Sequence, residues 1–455
     1  MRWVADCLYL MAAVIYLPVL AYQMVVQRKN RSGWRERLGL VALTPPVVGQ
    51  RRIWLHAVSL GEVNATPLLV RRLRERVPGA DIVVSTTTDT GYARACQLYG
   101  RERVFRFPLD FSIVIARTLD RVAPSLIVLT ELEVWYNLVR MASQRGIAVA
   151  VVNGRLTERS RRRFRWVAPL VRSMFERLAW VGAQDEPIGH RFKELGVPAD
   201  RVAVTGSIKW DSAQLAKRVD GDEELATSLG LDGARPIWVC GSTGPGEEAI
   251  ILDAYRRLAP DSVQLVIAPR KPERFDEVAR LIEARGYTCV RRSHSVQDCG
   301  HGVPRLQAVA AARHRGAEQT ASSGLRTQDS GLVFLGDTIG ELRKFYSLAT
   351  VVFVGRSLVP MGGSDPMEVA ALGKPIVTGP FTENFRQPID SLAAAGVVQR
   401  VVNAEELSAA VNRLIRDPGA ARELGVRARE VVRAAQGATQ SSVDALCRLI
   451  QWPAV

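Results

Sequence analysis

Residues 54–65 read WLHAVSLGEVNA, an apolar strand that runs without a linker into a glycine turn and a helix. Working outward, short Val- and Ile-rich runs at 53–57, 82–86, 104–107, 126–130, 147–152, 180–183 and 202–205 alternate with amphipathic stretches such as 67–76 and 161–178. Continuously apolar strands alternating with helices predict a parallel sheet covered on both faces. The pattern then restarts, with runs at 237–240, 263–268, 332–335, 351–354 and 375–378. The expected fold is α/β, two doubly wound Rossmann-like domains whose strand carboxyl ends face each other across a cleft. The expected boundaries are 28–210 for the first domain, 211–234 for a polar linker and 235–435 for the second. Residues 293–330, polar and turn-rich, read as a flexible insertion, and 436–455 as a C-terminal helix.

The chain has 455 residues, 47% hydrophobic and 24% charged, which suits two folded domains and excludes a disordered protein. Its formal charge of +15 points to nucleic acid, an anionic membrane surface or an acidic substrate. Cys7, Cys96, Cys240, Cys289, Cys299 and Cys447 are scattered without a CxxC pair, so neither a zinc site nor a disulfide framework is legible. Residues 4–26 read VADCLYLMAAVIYLPVLAYQMVV, with Asp6 the one formal charge, and Arg28, Lys29, Arg31, Arg35 and Arg37 follow. About 20 apolar residues cross a bilayer, and a basic flank stays cytoplasmic, so 1–27 is expected to be a membrane anchor. A cleaved signal peptide is the competing reading, and Pro18 and Gln23 keep open an interfacial helix in place of a span.

Several residues carry chemistry by type and place. Glu62 falls in the first turn of its helix, where it complements the dipole or acts as a general base on a sugar hydroxyl. His56, inside the strand, reads as a packed, hydrogen-bonded histidine. Glu131 and Glu133 follow the strand at 126–130 and share a side if that strand continues; otherwise they are a charge cluster before a helix holding 137–143. NGRLTERSRRRFR supplies Arg155, Arg159, Arg161, Arg162, Arg163 and Arg165. No nucleic-acid motif accompanies this run, whereas an anchor does, so lipid phosphates are the expected partner and a solvated helix face the alternative. Lys209, after the run at 202–205, is either a surface lysine or a partner for an anion.

In the second domain CGSTGPGEE (240–248) follows a strand and opens a helix, with small residues suited to phosphate; it is neither a P-loop nor GxGxxG. Arg270 and Lys271 of APRKPERF suit a nucleotide phosphate. LGDTIGEL (335–342) and GGSDPMEVAALGKPIVTGP (362–380) complete the set, the latter placing Glu368 on a helix after a glycine turn. Asp220-Gly221-Asp222 looks like a DxD triplet but sits in the polar stretch and reads as solvated linker.

Together WLHAVSLGEV, STTTDTG, ELEVW, NGRLTERS, GSIK, GST..GEE, APRKPERF, LGDTIGEL and GG..P.E resemble, in order and over nearly the whole chain, the 3-deoxy-D-manno-octulosonic acid (Kdo) transferase family. The resemblance implies a GT-B glycosyltransferase, inverting and metal-independent, that uses no cofactor. It would transfer Kdo, an acidic eight-carbon sugar, from CMP-Kdo to a lipid A precursor at the cytoplasmic face of the inner membrane. By position Glu62 matches the catalytic base, and Glu133 and Lys209 match residues that stabilise the transition state. Ser242, Thr243, Arg270, Lys271, Ile339, Gly340, Glu341, Gly363, Asp365, Pro366, Met367 and Glu368 match CMP-binding segments. Arg155, Arg159, Arg161, Arg162 and Arg163 are the expected acceptor or membrane contacts. The chain departs from the family pattern at Ser364-Asp365 (His-Asn in GGHNPLE), Lys271 (His in PRHPER) and Tyr136 (Pro in ELWPN). A UDP-sugar transferase would share the anchor and basic run. A non-catalytic, membrane-attached nucleotide-binding protein would share the fold but have no need of Glu62.

Overall fold

The computed structural model describes residues 32–164, 168–258, 262–297 and 331–451, together with Asp6, Cys7, Tyr9, Leu10, Met11, Val14, Ile15, Pro18 and Tyr22. Most of the expected anchor and of the 293–330 insertion lies outside the described residues. The chain divides into two compact units, 1–212 with 435–455, and 213–434.

Unit 1 is built on a seven-stranded sheet: β1 (Arg52–His56), β2 (Asp81–Thr86), β3 (Val104–Arg106), β4 (Leu126–Thr130), β5 (Ala148–Gly154), β6 (Trp180–Ala183) and β7 (Val202–Val204). Its order is β3-β2-β1-β4-β5-β6-β7 and every pairing is parallel. β1 and β4 are buried along their whole length because both faces are covered. Trp54, Phe105 and Ile127 pack in the core on one face, and Ile53, Leu55 and Val128 in the core on the other. Each such aliphatic side chain stabilises the sheet by about 1.5–3 kcal/mol. The chain winds outward from β1 to β3 and then returns to lay β4 beside β1. The carboxyl ends of β1 and β4 are therefore this sheet's topological switch point.

Unit 2 repeats the plan with β8 (Ile237–Thr243), β9 (Gln264–Pro269), β10 (Thr288–Arg291), β11 (Leu332–Leu335), β12 (Val351–Val354), β13 (Ile376–Thr378) and β14 (Val398–Arg400). The order β10-β11-β9-β8-β12-β13-β14, again parallel, puts its switch point between β8 and β12. The sequence reading missed β10 and β14. Both are short, half-exposed edge strands bearing arginine, so neither shows a continuous apolar run.

Other expectations are corrected. Gly61 is not a turn: it lies inside the helix Leu60–Ala65. The stretch 211–234 is not simply linker, because the helix Asp222–Leu229 buries Leu225 and Leu229. Asp222 is no solvated residue. It takes both arms of Arg218 at 2.8 Å and the Ser347 hydroxyl, with Arg218 foremost in holding its carboxyl well below the usual range. The amphipathic stretch at 161–178 holds two described helices, Glu158–Phe164 and Ala168–Phe175. The C-terminal helix Ala438–Gln451 belongs to unit 1, where Val443, Leu446 and Ile450 pack with Ile53, Leu55 and Leu69.

Among the described residues no helix is long and apolar enough to cross a membrane. Asp6, expected at the outer end of a span, accepts hydrogen bonds from the Ser112 amide (3.0 Å) and the Asn137 side chain (2.9 Å) of unit 1. A helix crossing about 30 Å of hydrocarbon would hold its outer end far from a unit on the cytoplasmic side.

Candidate active site

Glu62 stands at the switch point of unit 1. Ser59 caps the start of Leu60–Ala65: its hydroxyl accepts from the Glu62 amide and donates to Glu62 Oε1 at 2.9 Å. The other carboxylate oxygen, Oε2, accepts from the Val58 amide at 3.0 Å and from the Thr130 hydroxyl, at the end of β4, at 2.6 Å. A carboxylate offers about four acceptor positions. Three are used here, which fixes the group and leaves one open among the described residues. Sequence reasoning did not single out Ser59, although its place three residues before Glu62 is the spacing that marks a cap. Thr130 was not legible, since only the return of β4 beside β1 brings it there.

β4 ends at Thr130, so the strand does not continue through Glu131 and Glu133 as alternation required. Glu131 takes left-handed backbone (φ 56°), its amide donating to Val152 O at 3.0 Å. Its side chain meets Lys209 Nζ at 3.0 Å. Lys209 lies in the helix Ile208–Asp211, whose N-cap Ser207 donates to Asn153 Oδ1 at 3.0 Å. Asn153 is itself left-handed at φ 54°. Two strained residues and one ion pair thus tie together the segments that leave β4, β5 and β7.

Glu133 is half-buried nearby. Burial first, and then the charge of Glu62, pushes its carboxyl up to about 7; Glu131 adds to this, and the Trp135 indole N–H, 3.2 Å from Glu133 Oε2, opposes it. The helix expected over 137–143 spans Tyr136–Gln144. His56 is buried as expected, with Nδ1 2.9 Å from Ser85 Oγ and its ring stacked on Phe107 at 3.8 Å. Burial lowers its value to about 3, so it is neutral.

Arg155 follows β5 and is exposed. Arg161 pairs with Glu158 at 2.7 Å and Glu194 at 3.3 Å, and Arg162 pairs with Glu158 at 3.2 Å. The side chains of Arg159 and Arg163, and Arg165 altogether, lie outside what is described.

In unit 2, burial first, and then the charges of Glu368 and Asp365, pushes the buried Tyr346 hydroxyl well above the usual tyrosine range, with Ser242 and Arg270 opposing. Sequence reasoning did not single out Tyr346. Its ring lies so close that a Cβ on Gly241 would collide with it. At Gly355 a Cβ would come within 2.7 Å of Thr243 Cα, so the ends of β8 and β12 approach backbone to backbone. Glu247 joins them. Fully buried, it accepts from the amides of Gly244 (2.9 Å), Ser357 (2.7 Å) and Leu358 (2.8 Å), and also from that of Arg356. One of the amides expected to face phosphate, that of Gly244, is therefore used by the chain's own carboxylate.

Thr243 donates to Glu248, which Arg274 also grips at 2.6 and 3.1 Å. The Asp365 carboxylate accepts from the Met367 amide, the first of the helix Met367–Ala371, at 2.8 Å. Glu368 is exposed, as are Arg270, Lys271, Ile339 and Gly340. Glu341 is committed to both arms of Arg292 at 2.9 Å, which lowers its carboxyl.

A family model described as 3-deoxy-D-manno-octulosonic-acid transferase (kdotransferase) matches residues 32–212, within unit 1. The 3-deoxy-D-manno-octulosonic acid transferase of Haemophilus influenzae is 32% identical over 455 residues, covering 98% of each chain. That of Bordetella pertussis is 31% identical, covering 94% of this chain and 96% of its own. Among solved structures, a glycosyltransferase from Rickettsia africae (TM-score 0.53, 11% identity, 88% of this chain and 99% of that one) shares the fold. So does a UDP-GlcNAc 2-epimerase from Neisseria meningitidis (TM-score 0.52, 13% identity, 87% and 100%). With relatives of this identity aligned from end to end, the chain belongs to the 3-deoxy-D-manno-octulosonic acid transferase family and is a glycosyltransferase.

Proposed function

We propose that this enzyme transfers Kdo from CMP-Kdo to a sugar hydroxyl of a lipid A precursor by direct, inverting displacement. Glu62 accepts the hydroxyl proton as the acceptor oxygen bonds to the anomeric carbon, while the bond from that carbon to the CMP phosphate oxygen breaks and CMP leaves. The observation that carries this reading is Glu62 itself, held by Val58, Ser59 and Thr130 with one acceptor position open. Glu133, raised to about 7, stands beside it, and Lys209 is tied to the neighbouring Glu131.

Donor contacts are assigned to unit 2. Ser242, Arg270, Asp365 and Glu368 around Tyr346 form their centre, with Thr243, Lys271, Ile339, Gly340, Glu341, Gly363, Pro366 and Met367 flanking. Basic side chains and oriented amides would offset the charge on CMP without a metal ion. Arg155, Arg159, Arg161, Arg162 and Arg163 are assigned to acceptor phosphates or anionic lipid at the cytoplasmic face of the inner membrane. The N-terminal segment is assigned an interfacial role: Asp6 rests on unit 1, and Leu10, Met11, Val14 and Ile15 are exposed.

The test is incubation of purified protein with CMP-Kdo and a tetra-acylated lipid A precursor, followed by mass spectrometry of the lipid. The expected product is heavier by Kdo. No Kdo adduct, together with turnover of a UDP-sugar, would overturn the donor assignment.

A further inference from the structure

The helix Tyr136–Gln144 starts where the loop 131–135 ends, and that loop carries Glu131 and Glu133. The first amides of a helix have no partners within it. Here the N-cap Trp135 supplies no side-chain acceptor, and the acceptors come from elsewhere. Asp110 takes the Asn137 amide at 2.9 Å and the Leu138 amide at 2.8 Å. The Tyr9 hydroxyl lies near the same carboxylate: burial first, and then the charge of Asp110, pushes it well above the usual tyrosine range. The Asn137 side chain donates to Asp6 Oδ1 at 2.9 Å and to Asp110 O at 2.6 Å. Asp6 also accepts from the amide that opens the helix Ser112–Val122, at 3.0 Å. The Tyr9 ring packs edge-on against Phe111, with centroids 6.2 Å apart.

Asp6 and Tyr9, three residues apart and so on one helical face, thus hold the far end of a short loop. Its near end is held at Thr130 by Glu62. Between the two anchors, Glu133 is constrained by the Trp135 indole at 3.2 Å, and Trp135 packs on Phe107 at 6.0 Å. We infer that Asp6 and Tyr9 are positioning residues for the active-site loop, so that the N-terminal segment sets the placement of Glu133. Neither residue is assigned any contact with substrate. The inference rests on the role proposed for Glu133. A displacement of about 1 Å in a reacting group can cost as much as 10²-fold in rate.

The experiment uses the full chain and compares Tyr9→Phe, Asp6→Asn and Glu133→Gln, each alone, and Tyr9→Phe/Glu133→Gln. Tyr9→Phe keeps the ring on Phe111 and removes only the hydroxyl, so it remains informative if Asp6→Asn folds poorly. The expected result is a fall in kcat of about 5- to 50-fold for Tyr9→Phe, with KM for CMP-Kdo and sedimentation with anionic vesicles unchanged. In the Glu133→Gln background Tyr9→Phe should add less than about twofold, since the group it positions is gone. A Tyr9→Phe enzyme with wild-type kcat, or one impaired equally in both backgrounds, overturns the positioning role. Glu133→Gln within about threefold of wild type would remove the reading of Glu133, and the inference with it, a result that differs from either of those.

Discussion

Lys209 Nζ lies 3.0 Å from Glu131 Oε1, so the lysine that sequence position offers to the substrate is already paired with a carboxylate beyond the end of β4. The pair is partly solvated, at 35% and 21% side-chain exposure, and such pairs contribute at most about 1 kcal/mol to stability. Lys209→Ala should therefore lower the melting temperature by only a few degrees. If it stabilises developing charge, kcat should fall by about tenfold or more. A loss of stability with kcat retained would make the lysine a strut for left-handed Glu131 and nothing more.

Glu62→Gln should retain folding and CMP binding while losing about 10²–10⁴-fold in kcat, the usual cost of removing a general base. Thr130→Val removes one of its three donors and should cost less, roughly 3- to 10-fold, because Val58 and Ser59 still hold the carboxylate. Calorimetric titration with CMP, run beside the kinetics, separates turnover from donor binding. Glu62→Gln turning over within threefold of wild type refutes the base assignment.

Glu133 titrates near 7 in the folded protein against an ordinary value of 4.5, raised chiefly by burial and then by Glu62. Between those values the folded state holds the proton more tightly than the unfolded chain, so this group's contribution falls as pH rises through the window. Glu133→Gln should stabilise the protein at pH 8 by on the order of 1 kcal/mol, and the gain should vanish near pH 4. Urea unfolding at the two pH values measures it. An equal gain at both would show that the charge is not responsible.

The arginines of the basic run differ in how firmly they are held and how exposed they are. Arg161 is held by Glu158 and Glu194, whereas Arg155 is exposed and Arg162 is 75% exposed beside Glu158. Arg155→Gln/Arg162→Gln should raise the apparent KM for lipid several-fold, leave the KM for CMP-Kdo unmoved, and lose its effect as salt rises. Arg270→Gln/Lys271→Gln should do the reverse. If neither constant responds to the first pair, the acceptor assignment falls and the donor assignment stands.

Activity should survive EDTA, since donor charge is assigned to basic side chains and amides. A magnesium requirement restored stoichiometrically would reject that assignment.

How much of this was legible in the sequence follows from the range of the forces involved. Alternating apolar runs and helices determined two parallel-sheet units, because burial on both faces of a strand leaves a continuous hydrophobic signature. β10 and β14 escaped because edge strands need no such run. Glu62 was legible as a position because its placement in the first turn of a helix is set by residues within that turn.

The tertiary structure alone decided what those carboxylates meet. Thr130 reaches Glu62 only because β4 returns beside β1, Lys209 reaches Glu131 across β4 and β7, and Tyr9 reaches Asp110 from a segment 101 residues away, by the difference of their numbers. It also showed that Glu247 and Glu341, acidic residues within sequence motifs, serve the chain's own amides and Arg292. Local spacing determines secondary structure and caps. Contacts between residues distant in sequence depend on which strand lies beside which, and that order is set by the packing of the whole sheet.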